Sequence, residues 1–360
     1  MPTEKASIIL HVVESFGGGV SDAVNSFRIA TPEHEHHLLY ALRPGVDVPP
    51  GIFDGFASAV PLPAGHSARV RATRRRVREL QPDLVHAHSS FAGVYTRLAV
   101  SRRTVPIVYS PHCLSFERRD LSPAMRGVYQ AIERLLVPNT TSFAACSERE
   151  ALLARALAPG RPVRVVANIP RPGLDGSARA EPPGDATVVM IGRLAPQKGI
   201  AAFARLAREL RERGVPARAV WVGGGEEHLA APLLDAGVEV TGWISPDAVA
   251  EHLSRASLYV HTAEWEGFPI GLLEALASGV PSLLVDRPYA DELPRELVVS
   301  DDELAARVEV LIGDPGAREA LRAVGAHALA QHTPSRQQED LRRIYREALT
   351  PASVPAADSV

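Results

Sequence analysis

The feature that most constrains this chain is a rhythm. Short runs rich in Val, Ile and Leu alternate with segments of helical period along nearly its whole length. The runs at Ser7–Val13, His36–Leu42, Asp83–His88, Pro106–Ser110, Ser142–Ala145 and Val163–Val166 are more continuously apolar than alternating. That pattern marks strands buried on both faces, as in a parallel sheet. Val20–Ala30, Ala68–Leu80, Met125–Leu136 and Glu148–Leu157 carry helical spacing between them. The rhythm stops at Pro170–Gly184, which holds four prolines and three glycines, the composition of a linker. It then restarts with strands at Thr187–Ile191, Ala219–Val222, Val238–Thr241, Leu258–His261 and Pro281–Val285. Helices are expected at Gly199–Arg213, Asp247–Ala256 and Ile270–Ser278. Ser245-Pro246-Asp247 supplies an N-cap and a first-turn proline to the middle one. The expectation is two doubly wound α/β domains, residues 1–170 and 185–334, joined by a linker over 171–184. A polar helix at Ser335–Leu349 ends the pattern, with Leu341, Ile344, Tyr345 and Ala348 on one face.

Composition narrows the class. A chain of 360 residues with 46% hydrophobic and 22% charged content can bury two cores, and is neither disordered nor a disulfide scaffold. No apolar run reaches the length of a membrane-spanning helix, and the first residues lack the apolar core of a signal peptide. Cys113 and Cys146 show no CxxC spacing. A cytoplasmic protein is expected. The net charge of −3 conceals an asymmetry: 20 Lys/Arg against 14 Asp/Glu in residues 1–170, and 19 against 28 thereafter. A mildly basic first half suits an anionic partner there, but lacks the concentrated basic face of a nucleic-acid binder. Six arginines between Arg69 and Arg78 read either as a solvated helix face or as a contact for anionic lipid at the inner membrane face.

Ligands of doubly wound sheets lie beyond the carboxyl ends of the strands, so residues just after strands carry the functional information. After the first strand, Gly17-Gly18-Gly19 opens a helix. From the residues alone it is either a flexible turn or a place where free amides meet an anion. It is no dinucleotide fingerprint, since Asp22 stands where the third glycine belongs. After the first strand of the second half, Arg193 and Lys198 flank a helix start, as a diphosphate clamp would need. The stretch His261–Ala275 holds Glu266 and Glu274 with seven residues between them. Pro269 places Glu266 in a loop and Glu274 on a helix, with the Phe268, Ile270 and Gly271 amides free to meet a phosphate. The His34, His36 and His37 stretch is expected to enter a strand at the surface without metal. His86 and His88 are expected as neutral buried histidines, the default for such strand ends, with His88-Ser89-Ser90 as a lining of the site the lesser alternative. A thiol nucleophile at Cys113 is set aside because no third group orients His112.

GGG after the first strand, GRLxxxKG after the linker and E-x7-E as EGFPIGLLE occur in the order found in retaining glycosyltransferases of family 4, and the chain resembles them over nearly its whole length. The resemblance implies a GT-B fold, in which two Rossmann-like domains face a central cleft and the C-terminal helix packs back on the first. It implies transfer of a hexosyl-type sugar from a UDP- or GDP-linked donor to an acceptor hydroxyl in glycan, glycolipid or natural-product biosynthesis, with retention. No Asp-x-Asp occurs and cations already stand at the diphosphate site, so neither metal nor other cofactor is expected. Arg193 and Lys198 would hold the diphosphate, Glu266 and His112 the sugar and Glu274 the ribose. Gly17, Gly18 and Gly19 would lie over the phosphates, with Gly224, Ile244, Phe268, Ile270 and Gly271 around the nucleotide. Two departures bear on donor identity: His112-Cys113 replaces the frequent His-Asp, and Asn168-Ile169-Pro170 replaces Asn-Gly-Val-Asp. The rival expectations are a nucleotide-sugar 2-epimerase of similar fold and a non-catalytic nucleotide-sugar-binding partner subunit.

Overall fold

The computed structural model describes residues 6–43, 51–176 and 185–350; 177–184 of the linker lie outside them. The first domain holds seven strands: β1 (Ile8–Phe16), β2 (Glu35–Leu42), β3 (Ser58–Pro61), β4 (Leu84–His88), β5 (Ile107–Ser110), β6 (Ser142–Ala145) and β7 (Val163–Val165). They run parallel in the order β3-β2-β1-β4-β5-β6-β7. The second holds β8 (Ala186–Ile191), β9 (Ala217–Val222), β10 (Glu239–Val240), β11 (Leu258–His261), β12 (Ser282–Val285) and β13 (Val298–Val299). These are parallel in the order β10-β9-β8-β11-β12-β13. Strand order reverses between β1 and β4 in one sheet and between β8 and β11 in the other, the two places where such sheets bind ligands.

The central strands owe their position to composition. Ile9, Leu10, Val12 and Val13 of β1, and Val188, Val189 and Met190 of β8, are fully buried between helices on both faces. The structure adds the edge strands β3 and β13 and helices at Ser90–Ala99, Leu304–Gly313 and Pro315–Leu329 to the expected elements. The edge strands are four and two residues long, too short for a periodic signal. The helix Ser90–Ala99 contains Gly93, a weak helix former, kept because a Cβ there would lie 2.6 Å from the Tyr109 ring.

The last described helix, Pro334–Leu349, leaves the second domain and covers the first. Leu341, Ile344, Tyr345 and Ala348 join Ile9, Phe27, Leu84 and Val108 in one apolar cluster. Arg342 donates from Nε and Nη2 to the Glu33 carboxylate at 2.7 and 2.9 Å. The arginine helix His66–Leu80 uses part of its charge locally: Arg69 donates to the Pro63 carbonyl, Arg74 to those of Leu98 and Ala99, and Arg76 to the Ser58 hydroxyl. Among the described residues no helix is long and apolar enough to cross a membrane.

Candidate active site

A cavity of about 340 Å³ opens between the two switch points. Gly17 and Gly18 have φ of 143° and 63°, a conformation open to glycine, and turn β1 into the helix Gly19–Ala30. A Cβ on Gly19 would touch Ile270 Cδ1 at 3.5 Å, so the start of this helix lies close to the start of the second-domain helix Ile270–Ala277. Two helix N-termini thus border one cavity, each presenting unpaired amides and the positive end of its dipole.

The loop after β8 is fixed by Gly199, whose φ of 69° caps the helix Ile200–Glu212. A Cβ there would fall 1.8 Å from the Thr262 carbonyl oxygen. This close approach holds Lys198 beside the loop after β11. Lys198 Nζ donates to Glu266 Oε1, and Gln197 Nε2 donates to Glu266 Oε2 at 3.2 Å and to the Trp265 carbonyl at 2.9 Å. Across the cleft, a Cβ on Gly267 would lie 2.8 Å from the Cys113 amide and 3.0 Å from the His112 carbonyl carbon. Only glycine lets the Glu266 loop meet the His112 turn so closely. His112 and Cys113 adopt φ of 51° and 93°, rare for non-glycine residues and typical of functional turns. Glu150 holds the turn, accepting the Cys113 and Cys146 amides at 2.6 and 2.8 Å. Burial pushes both thiols above their usual range, which disfavours a thiolate at Cys113.

The electrostatics are those of a site awaiting an anion. Arg43, just after β2, and Arg193, just after β8, line the cavity, and among the described residues neither side chain has an ion-pair or hydrogen-bond partner. Burial lowers the Arg43 pKa to about 10, with the nearby Arg193 charge adding to the effect, and burial lowers that of Arg193 as well. The carboxylates of Glu14 and Glu266 near Arg43, and of Glu226 and Glu266 near Arg193, oppose that fall without pairing directly with either guanidinium. A partly buried cation with no direct partner is costly unless a ligand pairs with it. In the same cavity, Arg171 donates to Glu274 Oε1, and Asp22 lies near this pair. Burial raises the Asp22 carboxyl to about 7; the Glu274 charge raises it further and Arg171 opposes the rise. Asn168 Nδ2 donates to the Phe268 carbonyl at 3.0 Å, tying the hinge to the same loop.

His112, Arg193, Lys198, Glu266, Gly17, Gly18, Gly19, Ile244, Phe268, Ile270, Gly271 and Glu274 therefore all border one cavity. Gly224 does not: it packs on Trp243, where a Cβ would come within 2.6 Å, and Gly223 lines the cavity in its place. Sequence reasoning missed Arg43, Asp22, Arg171 and Gln197. Arg43 was findable, since it follows a strand directly, but it belongs to no motif. One further expectation is corrected. His36 and His37 are not at the surface but 4% and 6% exposed, because both sides of β2 are covered. His36 belongs to a row of buried rings that also includes His86 and His88, and three nitrogens from His11, His86 and His88 lie within 4.8 Å of one another.

Two Rossmann-like domains with a cation-lined cleft at their facing switch points define the GT-B class of proteins. The Glycosyl transferase 4-like domain model matches residues 25–169 and the Glycosyl transferases group 1 model matches residues 177–327. The chain belongs to the family 4 glycosyltransferases of GT-B fold. It is 28% identical over 285 residues to D-inositol 3-phosphate glycosyltransferase of Rhodococcus erythropolis, covering 68% of this chain and 64% of that one. It is 26% identical over 226 residues to the UDP-Gal:alpha-D-GlcNAc-diphosphoundecaprenol alpha-1,3-galactosyltransferase of Escherichia coli, covering 56% and 57%. The chain thus spans under two thirds of the length of these two relatives. The crystal structure of Anabaena HepE in complex with UDP and glucose superposes with a TM-score of 0.73 at 18% identity, over 94% of this chain and 99% of that one.

Proposed function

We propose that this chain transfers a sugar from a nucleoside-diphosphate donor to an acceptor hydroxyl, retaining the anomeric configuration and requiring no metal. The observation that carries the reading is the pair of unpartnered cations, Arg43 and Arg193, at a cleft bordered by two helix N-termini. A departing diphosphate gains negative charge as its bond to the sugar breaks, and preorganised cations and amide dipoles stabilise that charge without reorganising. Arg193 and Lys198 take the diphosphate, displacing Lys198 from Glu266. Glu266 is then free to accept hydroxyls of the sugar beside His112. Glu274 accepts the ribose hydroxyls once Arg171 yields, and Ile244 borders the base. The acceptor oxygen attacks the anomeric carbon on the face the phosphate leaves, and its proton passes to the departing phosphate oxygen. No protein nucleophile is used.

The UDP complex of HepE and the UDP-galactose donor in the name of the Escherichia coli relative support a UDP-linked donor. The lipid diphosphate acceptor in that relative's name, and the basic first half of this chain, support an anionic or lipid-linked acceptor. Peripheral contact of the Arg69–Arg78 helix with anionic lipid, where Arg71 and Arg78 stay exposed, is checked by co-sedimentation with anionic vesicles at two salt concentrations. The reaction is tested by incubating a panel of nucleotide sugars and acceptors in EDTA and reading nucleoside diphosphate release and product anomer by NMR. Product of inverted configuration, or turnover abolished by EDTA and restored by a divalent ion, refutes this mechanism.

A further inference from the structure

The buried histidines form a hydrogen-bonded row that ends at the cleft. His36 Nε2 lies 2.9 Å from the Thr31 carbonyl oxygen, His36 Nδ1 lies 3.0 Å from His11 Nε2, His11 Nδ1 lies 3.0 Å from His88 Nε2, and His88 Nδ1 lies 3.1 Å from His112 Nε2. His11, His36 and His88 are between 0% and 4% exposed. One end of the row is unambiguous. A carbonyl can only accept, and the Thr31 hydroxyl already donates to the Phe27 carbonyl at 2.8 Å. His36 must therefore carry its proton on Nε2.

The rest follows by succession. A neutral ring with Nε2–H has only a lone pair on Nδ1, so His11 must donate from Nε2 to His36, His88 from Nε2 to His11, and His112 from Nε2 to His88. Burial disfavours the charged form of every ring in the row, so each has one N–H to donate and one lone pair with which to accept. Because the far end is a carbonyl, the row cannot pass a proton onward; it fixes a tautomer. His112 Nδ1 has no partner among the described residues, and its ring lines the cavity.

We propose that His36, His11 and His88 are positioning residues that lock His112 as its Nε2–H tautomer, so that the cleft meets an accepting Nδ1 lone pair. This rests on the glycosyl-transfer reading for its consequence: the substrate group beside His112 is a hydroxyl that donates, and a carboxylate at that place, as in a uronic acid, is rejected by lone-pair repulsion. The close nitrogens of His11, His86 and His88 do not call for a metal. His86 and His88 lie ring over ring with centroids 4.1 Å apart and planes 30° from parallel, a packing in which in-plane lone pairs do not converge on one ion. His86 is also satisfied separately, by the Tyr345 hydroxyl at 2.8 Å and the Ser110 hydroxyl at 2.9 Å.

The test is nitrogen-15 NMR of histidine-labelled full-length protein at pH 7.5, which reads the tautomer of each ring. The expected result is an Nε2–H form for His11, His36, His88 and His112 in the wild type. His88→Phe keeps the ring stack but removes the acceptor, and should give His112 a mixture of both tautomers. kcat/KM should then fall about tenfold while nucleoside diphosphate affinity is kept, as the loss of one oriented hydrogen bond implies. His88→Gln, which can accept and donate at similar places, should recover most of the loss. An Nδ1–H form of His112 in the wild type, an unchanged His112 tautomer in folded His88→Phe, or one tightly bound zinc per chain overturns the proposal. A wild type that shows the locked tautomers yet turns over no nucleotide sugar upholds the row and refutes only the proposed reaction.

Discussion

Asp22 offers a quantitative check on the electrostatics of the cleft. Its carboxyl rises from 3.8 to about 7, first through burial and then through the neighbouring Glu274. A carboxyl with a raised folded pKa holds its proton in the native state at pH values where the unfolded chain has released it. Between pH 4 and 7 the native state therefore binds more protons, and this group's contribution to stability falls as pH rises. From pH 5 to 8 the native group crosses about two units below its pKa, which at about 1.36 kcal/mol per unit amounts to a loss of roughly 2–3 kcal/mol. Asn at this position matches the shape and cannot ionise. Asp22→Asn should consequently gain roughly 2–3 kcal/mol on the wild type between pH 5 and pH 8, most of it before pH 7. Urea unfolding of both proteins at pH 5, 6, 7 and 8 measures that difference, and other titrating groups cancel in it. A difference that stays flat across the series would refute the assignment of a buried, proton-holding carboxyl beside Glu274.

Two further outcomes are expected. Gly199→Ala forces a left-handed residue and a Cβ 1.8 Å from the Thr262 oxygen, and should cost roughly 3 kcal/mol or more in chemical unfolding while detaching Lys198 from Glu266. Arg43→Ala should weaken nucleoside diphosphate binding about tenfold or more by calorimetry, the size of one lost charge-assisted hydrogen bond; equal affinity would move Arg43 to the acceptor.

The sequence made the donor side legible and much of the rest illegible, for physical reasons. Gly17–Gly19, Arg193, Lys198 and Glu266 are local: each follows a strand or precedes a helix, so the strand-end rule places it at the cleft, and Glu274 comes with them one turn into the helix that the same loop opens. Arg171 and Asp22 acquire meaning only when the hinge and the first helix come together at Glu274, more than a hundred residues away in sequence. The histidine row is harder still. His11, His36 and His88 look like isolated polar residues inside apolar strands, and become a row only through the parallel register that sets His11 of β1 opposite Leu38 of β2 and His86 of β4. A shift of one residue in β2 or β4 would turn His36 or His88 to the face opposite His11 and break it. The edge strand β3 and the helix Ser90–Ala99 were missed because tertiary packing, not local pattern, stabilises them.

The most direct measurement of the central claim is thermal unfolding against UDP, GDP, ADP and dTDP in EDTA, for wild type, Arg193→Ala and Lys198→Met. A ligand at one hundred times its Kd stabilises the native state by about 2.7 kcal/mol. One nucleoside diphosphate should raise the wild-type Tm with EDTA present, and both substitutions should abolish the shift without lowering the unliganded Tm appreciably. No shift with any nucleotide, or a shift that survives both substitutions, would contradict a diphosphate held by Arg193 and Lys198.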